Sequence, residues 1–497
     1  RHYHLLQIKQ QSFLIKKKIN LMKNTAIFGG SQAGEMLEYY EYLESMQKAW
    51  IAGEEYNPLS MTDSQAGRPE SLDPQFVSLT YTQEHAAFWK ALPKKRVDSP
   101  VLQYARKLSL GQAVTYAEGG DVGNISDQYD RQIDIVKFIG TKGEVTGTAQ
   151  QTKFIVDAIA EETENKIISL ITGCNLLMYH GNASLNPYEW SSVKEQVRAK
   201  CKNPNVNFID KRGKRLSYQD IMTGNRIISK YYGNPSGRQA WTSVEALDSL
   251  VLDELENKSY ITNWSNGINM ERVIERGFKL GSGEGTFHYD LHASPVAPEK
   301  SVNGAPITNE AGTAFAANHS QAPNAISAVT PTVVPTTTAY ALPAGTYNYA
   351  ITSFNRFGES VATEYSVLVS GSGNMVSFGT ITEGGSPTSG QEARGFRIYR
   401  KAGSSTDIND YRLAKTCSTS AATHYDDNKS IPGTSTLLLI DWDQKNVIEF
   451  CQQMPLYKLP YGIRKDAIEF LVKLYGTLRV KNANRIVVIE NIGELPN

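Results

Sequence analysis

The sequence predicts an α+β protein: a mixed main domain interrupted, late in the chain, by an all-β module. Three observations carry that expectation. Residues 152–173 hold the strongest helical pattern, with Phe154, Ile155, Ala158, Ile159, Ile167, Leu170 and Ile171 along one stripe and Asp157, Glu161, Glu164 and Asn165 opposite. From 293 to 346 the composition turns to Ala, Pro, Thr, Asn and Ser, and beyond it short strand patterns recur between Gly, Ser and Asn breaks. The chain then closes on two β-type runs, 470–480 and 485–492, around the polar break 481–484. Each mixes apolar and polar residues at a spacing near two, which is expected to bury one face.

At 497 residues the chain is too long for one ordinary core, so two or three domains are expected. Hydrophobic residues at 40% and charged residues at 21% describe a soluble globular protein, neither disordered nor membrane-spanning. With 51 basic and 51 acidic residues, any attraction to nucleic acid has to be local. Cys174, Cys201, Cys417 and Cys451 are scattered without a C-x-x-C pair, so they read as small buried hydrophobes. Neither a disulfide framework nor a zinc site is expected, which fits assembly in a reducing cytoplasm. No apolar run approaches the roughly 18 residues of a membrane helix.

Taken in order, residues 1–24 carry Arg1, Lys9, Lys16, Lys17, Lys18 and Lys23 with no acid, and lack the cleavage pattern of a secretory signal. They read either as translated leader before a start at Met22, or as a basic arm in which Lys16, Lys17 and Lys18 face DNA phosphates. Residues 36–52 have helical spacing up to Gly53, and 57–74 read as an extended loop. A second amphipathic segment, 85–91, ends in Pro93-Lys94-Lys95-Arg96, expected to be a solvated turn. Residues 117–144 alternate, with Ile133, Ile135 and Lys137 facing one way and Asp134 and Val136 the other. This predicts a long two-stranded excursion with Gly119, Gly120 and Gly143 as bend points. Such an arm needs a neighbour to lie on.

The 152–173 helix, at about 1.5 Å per residue, spans roughly 30 Å and leads into a turn cluster at 180–187. Residues 216–232 predict another helix, with Ser217 and Asp220 as a capping box and Gly233 and Pro235 as stops. A short strand at 239–241 precedes a helix capped by Thr242 with Glu245 and running to about Leu255. In the all-β module, strands are expected at 345–352, 365–369, 396–400, 411–414 and 424–426. Helical, mixed character resumes at 441–452. The simplest account is one discontinuous domain with a sandwich inserted at an exposed loop tip.

The best candidate for chemistry is His288-Tyr289-Asp290-Leu291-His292. On a strand, His288, Asp290 and His292 would share a face and converge on a metal. No further ligand cluster accompanies them, so a polar strand edge is the preferred reading. Residues 281–285 are glycine-rich without completing G-x-G-x-x-G or a phosphate loop. Neither G-x-S-x-G nor H-E-x-x-H occurs. Consecutive acids such as Glu161-Glu162 and Asp426-Asp427 are poorly placed for paired acid and base work. The expectation is therefore no enzyme, no catalytic residue, no metal and no cofactor.

The ordered set of 89–104, the glycine-bent arm, the long helix, the 181–187 turn and the two capped helices around Trp241 ends in the closing strands with their Tyr-Gly-Thr-Leu core. This set resembles the tailed-phage major capsid proteins of the Hong Kong 97 type, over most of 78–292 plus 441–493. The stretch from 346 to 360, with 396–400, resembles immunoglobulin-like or fibronectin type III modules. The resemblance implies an N-terminal arm (1–77), arm end and E-loop (78–150), and spine helix with peripheral and axial elements (151–295). A linker (296–323), the inserted sandwich (324–434) and a return to axial and terminal peripheral strands (435–497) would follow. It implies hexamers and pentamers of an icosahedral shell around double-stranded DNA, with Gly119, Gly120 and Gly143 serving assembly as E-loop bends. Its partners would be other copies of the chain, portal, scaffold or decoration proteins, and packaged DNA, with no membrane. An encapsulin-type shell shares the fold. A secreted carbohydrate-active enzyme with a fibronectin-like module would also explain the linker and sandwich, but it needs a signal peptide and a converging acid pair, and the sequence has neither.

Overall fold

A computed structural model describes residues 86–495 apart from 110, 112, 121–125, 152–156, 258–277, 281–282, 294–314, 318–319, 337–339, 372, 402–406, 443–446, 463–464 and 494. The expectations for 36–52, for 57–74 and for Lys16, Lys17 and Lys18 lie outside the described residues. The described chain opens with helix α1 (Ala87–Ala91), strand β1 (Lys94–Arg96), the hairpin β2 (Val101–Ser109) and β3 (Gln128–Ile135), and β4 (Lys137–Thr146). Helices α2 (Gly147–Gln151), α3 (Ala158–His180), α4 (Val193–Lys200) and α5 (Pro204–Asn207) follow, then β5 (Phe208–Asp210), α6 (Tyr218–Lys230), β6 (Arg238–Thr242), α7 (Val244–Asn257), β7 (Phe278–Leu280) and β8 (Gly283–Tyr289). The later strands are β9 (Thr332–Pro335), β10 (Gly345–Phe354), β11 (Thr363–Val369), β12 (Asn374–Gly379), β13 (Gly395–Lys401), β14 (Arg412–Ser418), β15 (His424–Asp426), β16 (Ser435–Asp441), β17 (Ile448–Pro460), β18 (Ala467–Val480) and β19 (Ile486–Ile492).

Two sheets build the main body. One has the order β1-β17-β18-β4, the other β5-β19-β16-β6-β8-β7. Helix α3 braces both. Leu170, Cys174 and Met178 on its inner side join Phe450, Phe470, Leu474 and Leu478 of the first sheet and Trp241, Leu438 and Ile440 of the second in one core. A second core covers the far face of the six-stranded sheet, where Ile221 and Ile228 of α6 and Ala246 and Leu250 of α7 meet Leu437, Leu439, Val487 and Ile489. Strand β19 is thus buried on both faces along its whole length, not on one, because cores lie on either side of it. The two closing strands also part company: β18 pairs with β17 and β4, whereas β19 lies between β16 and β5.

Between β8 and β16, seven strands form the two antiparallel sheets β11-β10-β13-β14 and β15-β12-β9. Tyr349, Ile351, Val367, Phe396 and Ile398 of the first face Val376 and Phe378 of the second. Strand β9 forms inside the Thr/Pro-rich run and pairs with β12; neither strand is marked by the sequence.

Several expectations need correction. Helix α3 does not stop at Gly173 but runs seven residues further, to His180, with Asp157 as N-cap accepting from Ile159 N–H at 2.9 Å. Burial of Cys174, Met178 and Tyr179 outweighs the roughly 1 kcal/mol that a helical glycine costs. Residues 94–96 are not a turn but a strand parallel to β17. The mixed 441–452 segment holds the end of β16 and the start of β17 instead of a helix, because Ile448 and Phe450 are drawn into the ladder with β18. The capping box of α6 is present, but α7 is capped by Ser243, whose Oγ accepts from Ala246 N–H, while Thr242 stays in β6.

Candidate functional site

The β2–β3 hairpin is a two-stranded ribbon, paired from Val101↔Ile135 to Ser109↔Gln128, with no third strand among the described residues. Its alternation turns Leu102, Tyr104 and Asp134 toward the body. Val101, Ile133 and Ile135 on the other face remain 46%, 57% and 55% exposed, and Tyr129 and Leu108 extend this apolar surface outward. Between the strands, the chain turns at 117–120. Gly119 has φ +80° there, and Gly120 N–H donates to Ala117 O at 2.8 Å. Gly143 is not a bend. It lies within β4, opposite Phe470 in the register, and a Cβ on it would collide with the Phe470 ring. Its small size serves close packing.

A buried charge network fixes the root of the hairpin. Asp134 accepts from Lys200 Nζ at 3.1 Å and from Arg479 Nε at 3.2 Å. Arg479 reaches on to Glu449 at 3.3 Å, and Lys481 Nζ donates to Glu449 at 2.9 Å. Tyr104 OH donates to Val480 O at 3.0 Å, with its ring 5.1 Å from the Arg479 guanidinium. Burial, and then the Asp134 charge, push the Tyr104 hydroxyl up to about 12, so it stays a donor. Burial lowers the Lys200 ammonium, and Asp134 opposes that shift. Charges this enclosed are costly unless paired, so the network holds the hairpin at one departure angle. Further out, Arg106–Asp130 and Lys107–Asp127 close at 2.6 Å each in more exposed positions, where ion pairs contribute little. The alternation put Asp134 on the face opposite Ile133 and Ile135 without saying which face is inward, because its partners come from α4 and β18, far along the chain.

The three members of the His288–His292 group do not converge: Asp290 and His292 meet at 3.3 Å, but His288 turns elsewhere. Strand β8 ends at Tyr289, so the shared face is lost. His288 stacks on Trp241 at 4.5 Å instead. Asp290 caps α1 by accepting from Phe88 N–H at 2.9 Å. It also accepts from Asn175 Nδ2 and from His292 N–H, both at 2.9 Å. These buried groups tie α1, α3 and the end of β8 together. Among the described residues, no group of three His, Cys, Asp or Glu is placed to hold a metal. Each of the four cysteines is buried.

Where the β-module meets the body, Asn491 Nδ2 donates to Asp210 at 2.7 Å and to Lys429 O at 2.9 Å, while its Oδ1 accepts from Ile431 N–H at 2.9 Å. Arg212 donates to Asn428 O at 2.7 Å. Arg212, Asn428 and Asn491 all have φ between 51° and 56°. A polar cleft beside this root contains Glu189 from the body and Arg397 from the module. Asn186 Nδ2 donates to Glu189 at 2.8 Å, and burial raises the Glu189 carboxyl, opposed by Asn186 and Arg397.

No family model matches the chain. It is 22% identical over 473 residues to the major capsid proteins of Staphylococcus phages S25-3 and K, across 91% of this chain and 96% of theirs. It is 23% identical to a protein of Enterococcus phage phiEF24C, across 90% of this chain and 95% of the relative. Among solved structures, the capsid of a native GTA particle matches over 86% of this chain and 96% of its own, at 6% identity and a TM-score of 0.43. The holo-SrpI encapsulin complex from Synechococcus elongatus PCC 7942 matches over 88% and 97%, at 10% identity and a TM-score of 0.40. TM-scores in this range mean loose superposition.

Proposed function

We infer that this chain is a major capsid protein of a tailed phage, with the Hong Kong 97-type fold, and that it resides in the virion shell. The observation that carries this is similarity running nearly end to end along major capsid proteins of phages. The architecture supports it. A ribbon with an exposed apolar face, fixed at its root by buried charges, is suited to lying across a second copy. The bonding of such a shell is spread over large interfaces rather than placed in a few reactive side chains. The similarity to major capsid proteins favours a structural role over the carbohydrate-active enzyme.

In this reading, copies form the hexamers and pentamers of an icosahedral shell around double-stranded DNA. Residues 78–150 contribute the arm end and E-loop, 151–295 and 435–497 the spine, peripheral and axial parts, and 1–77 the N-terminal arm. Residues 324–434 form an immunoglobulin-like module displayed outward, after the 296–323 linker. Portal, scaffold or decoration proteins, and DNA met through Lys16, Lys17 and Lys18, complete the set of partners. Negative-stain microscopy of the purified protein tests the reading. Uniform shells are expected, with protrusions that vanish when 324–434 is deleted. A protein that stays monomeric under every assembly condition, yet hydrolyses a glycan, would overturn it.

A further inference from the structure

Helices α6 and α7 both pack on the same face of the six-stranded sheet, and their outer sides carry opposite charge. On α6, Ile221, Ile227 and Ile228 are buried, which leaves Met222, Arg226 and Lys230 exposed in an i, i+4, i+8 stripe. On α7, Ala246 and Leu250 are buried. Val244, Asp248 and Leu252 form the matching exposed stripe, with Glu245 beside it. Met222, Val244 and Leu252 are 48%, 47% and 44% exposed, so each stripe also presents apolar surface to water. Helix α7 contains no basic residue, and its sequence adds Asp253, Glu254 and Glu256. Among the described residues, Arg226, Lys230, Glu245 and Asp248 take part in no ion pair. The two stripes therefore do not satisfy each other within one copy.

We propose that the Arg226/Lys230 stripe of α6 in one copy docks on the Glu245/Asp248 stripe of α7 in the next copy. Every chain offers one face of each sign, Met222 beside the basic pair and Val244 and Leu252 beside the acidic pair, so a second copy supplies what each face lacks. Such a contact is head-to-tail. Repeated in one sense around an axis it closes a ring, and complementary charge fixes its register and direction. The proposal rests on the capsid reading and names the surface through which neighbouring subunits would meet.

Two half-reversed variants and their combination test it: Arg226→Glu with Lys230→Glu, Glu245→Lys with Asp248→Lys, and all four together. The four substituted side chains lie outside the cores, and circular dichroism and thermal melting check that each variant folds. Each half-reversed protein sets like charges against each other, so shells counted by microscopy and sedimentation should fall at least about tenfold. The fourfold reversal should restore them. Mixing the two half-reversed proteins should restore six-membered rings, since each offers the face that the other needs and strict alternation closes a ring of six but not of five. If either folded half-reversed variant assembles at the wild-type yield, the contact does not exist, although the capsid reading stands. If assembly is lost but neither the fourfold reversal nor mixing restores it, the stripes meet a different partner and the proposal fails. A wild-type protein that forms no shells would remove the capsid reading and this contact together.

Discussion

Gly476 lies directly against the ring of Phe450: a Cβ on the glycine would stand 2.5 Å from Phe450 Cε1 and Cζ. The ring has little room to retreat. It meets Trp89 edge-on at 4.5 Å and Trp190 at 5.3 Å, within the core beneath the long helix. The glycine of the Tyr-Gly-Thr-Leu run therefore makes space for the aromatic cluster that joins α1 to the four-stranded sheet. Gly476→Ala is expected to destabilise the unassembled protein by about 2 kcal/mol, the usual range for overpacking. Adding Phe450→Leu should recover part of that loss, a coupling that urea denaturation of the double-mutant cycle would read. Independent, additive effects would disprove the packing account.

Asp134 gives a second prediction. Its side chain is 11% exposed and receives Lys200 and Arg479, both similarly enclosed. Asp134→Ala leaves two buried cations facing each other with one carboxylate, Glu449, to compensate. A loss of about 3 kcal/mol is expected. Hydrogen exchange should quicken in β2 and β3 before it quickens in β16 or β19, because the network joins the hairpin to α4, β17 and β18 and has no member in β16 or β19. Uniform acceleration across both sheets would argue for a global role instead.

Much of this fold was legible because its signals are local. The capping box at Ser217 and Asp220, the strand around Trp241, and five strands of the β-module all follow from short-range pattern and turn chemistry. The alternation around Ile133 and Asp134 separated the two faces of the hairpin, but which of them turns outward is set by Lys200 and Arg479, far along the chain. What stayed hidden depends on distant partners. Asp290 looks like a ligand until Phe88 and Asn175, 202 and 115 residues away, take up its oxygens. Gly143 looks like a bend until β18 brings Phe470 across from it. The double burial of β19 requires cores on both sides of one strand, and no period in seven residues distinguishes that from a one-faced strand.

Glu189 yields a pH prediction. Burial raises its carboxyl above the ordinary value, which is about 4.3 in an unfolded chain. The folded protein thus holds the proton more tightly than the unfolded chain. That contribution to stability is full below about pH 4.3 and is lost as pH rises through the raised folded value. Glu189→Gln keeps an oxygen to accept from Asn186 but cannot ionise. It should be more stable than the wild type at pH 7 and close to it near pH 4, by urea midpoints measured at both. A variant less stable than wild type at pH 7 would show that attraction to Arg397 outweighs burial.

The turn at Gly119 and Gly120 separates assembly from folding. Gly119 has φ +80° with open space where a Cβ would sit, so Gly119→Val meets backbone strain rather than collision, about 1–2 kcal/mol. At Gly120 a Cβ would come within 3.1 Å of Ala117 O, against the carbonyl that closes the turn. Neither glycine belongs to any of the buried clusters, and the hairpin root is held from Asp134 and Tyr104. The double substitution Gly119→Val with Gly120→Val is therefore expected to leave the melting temperature of unassembled protein within a few degrees of wild type. Shell yield should fall severalfold, because a redirected ribbon tip no longer lies along its neighbour. Sedimentation and microscopy read the yield, and calorimetry reads the melting point. An equal loss of soluble folded monomer would show that the turn serves folding of the chain and has no separate part in assembly.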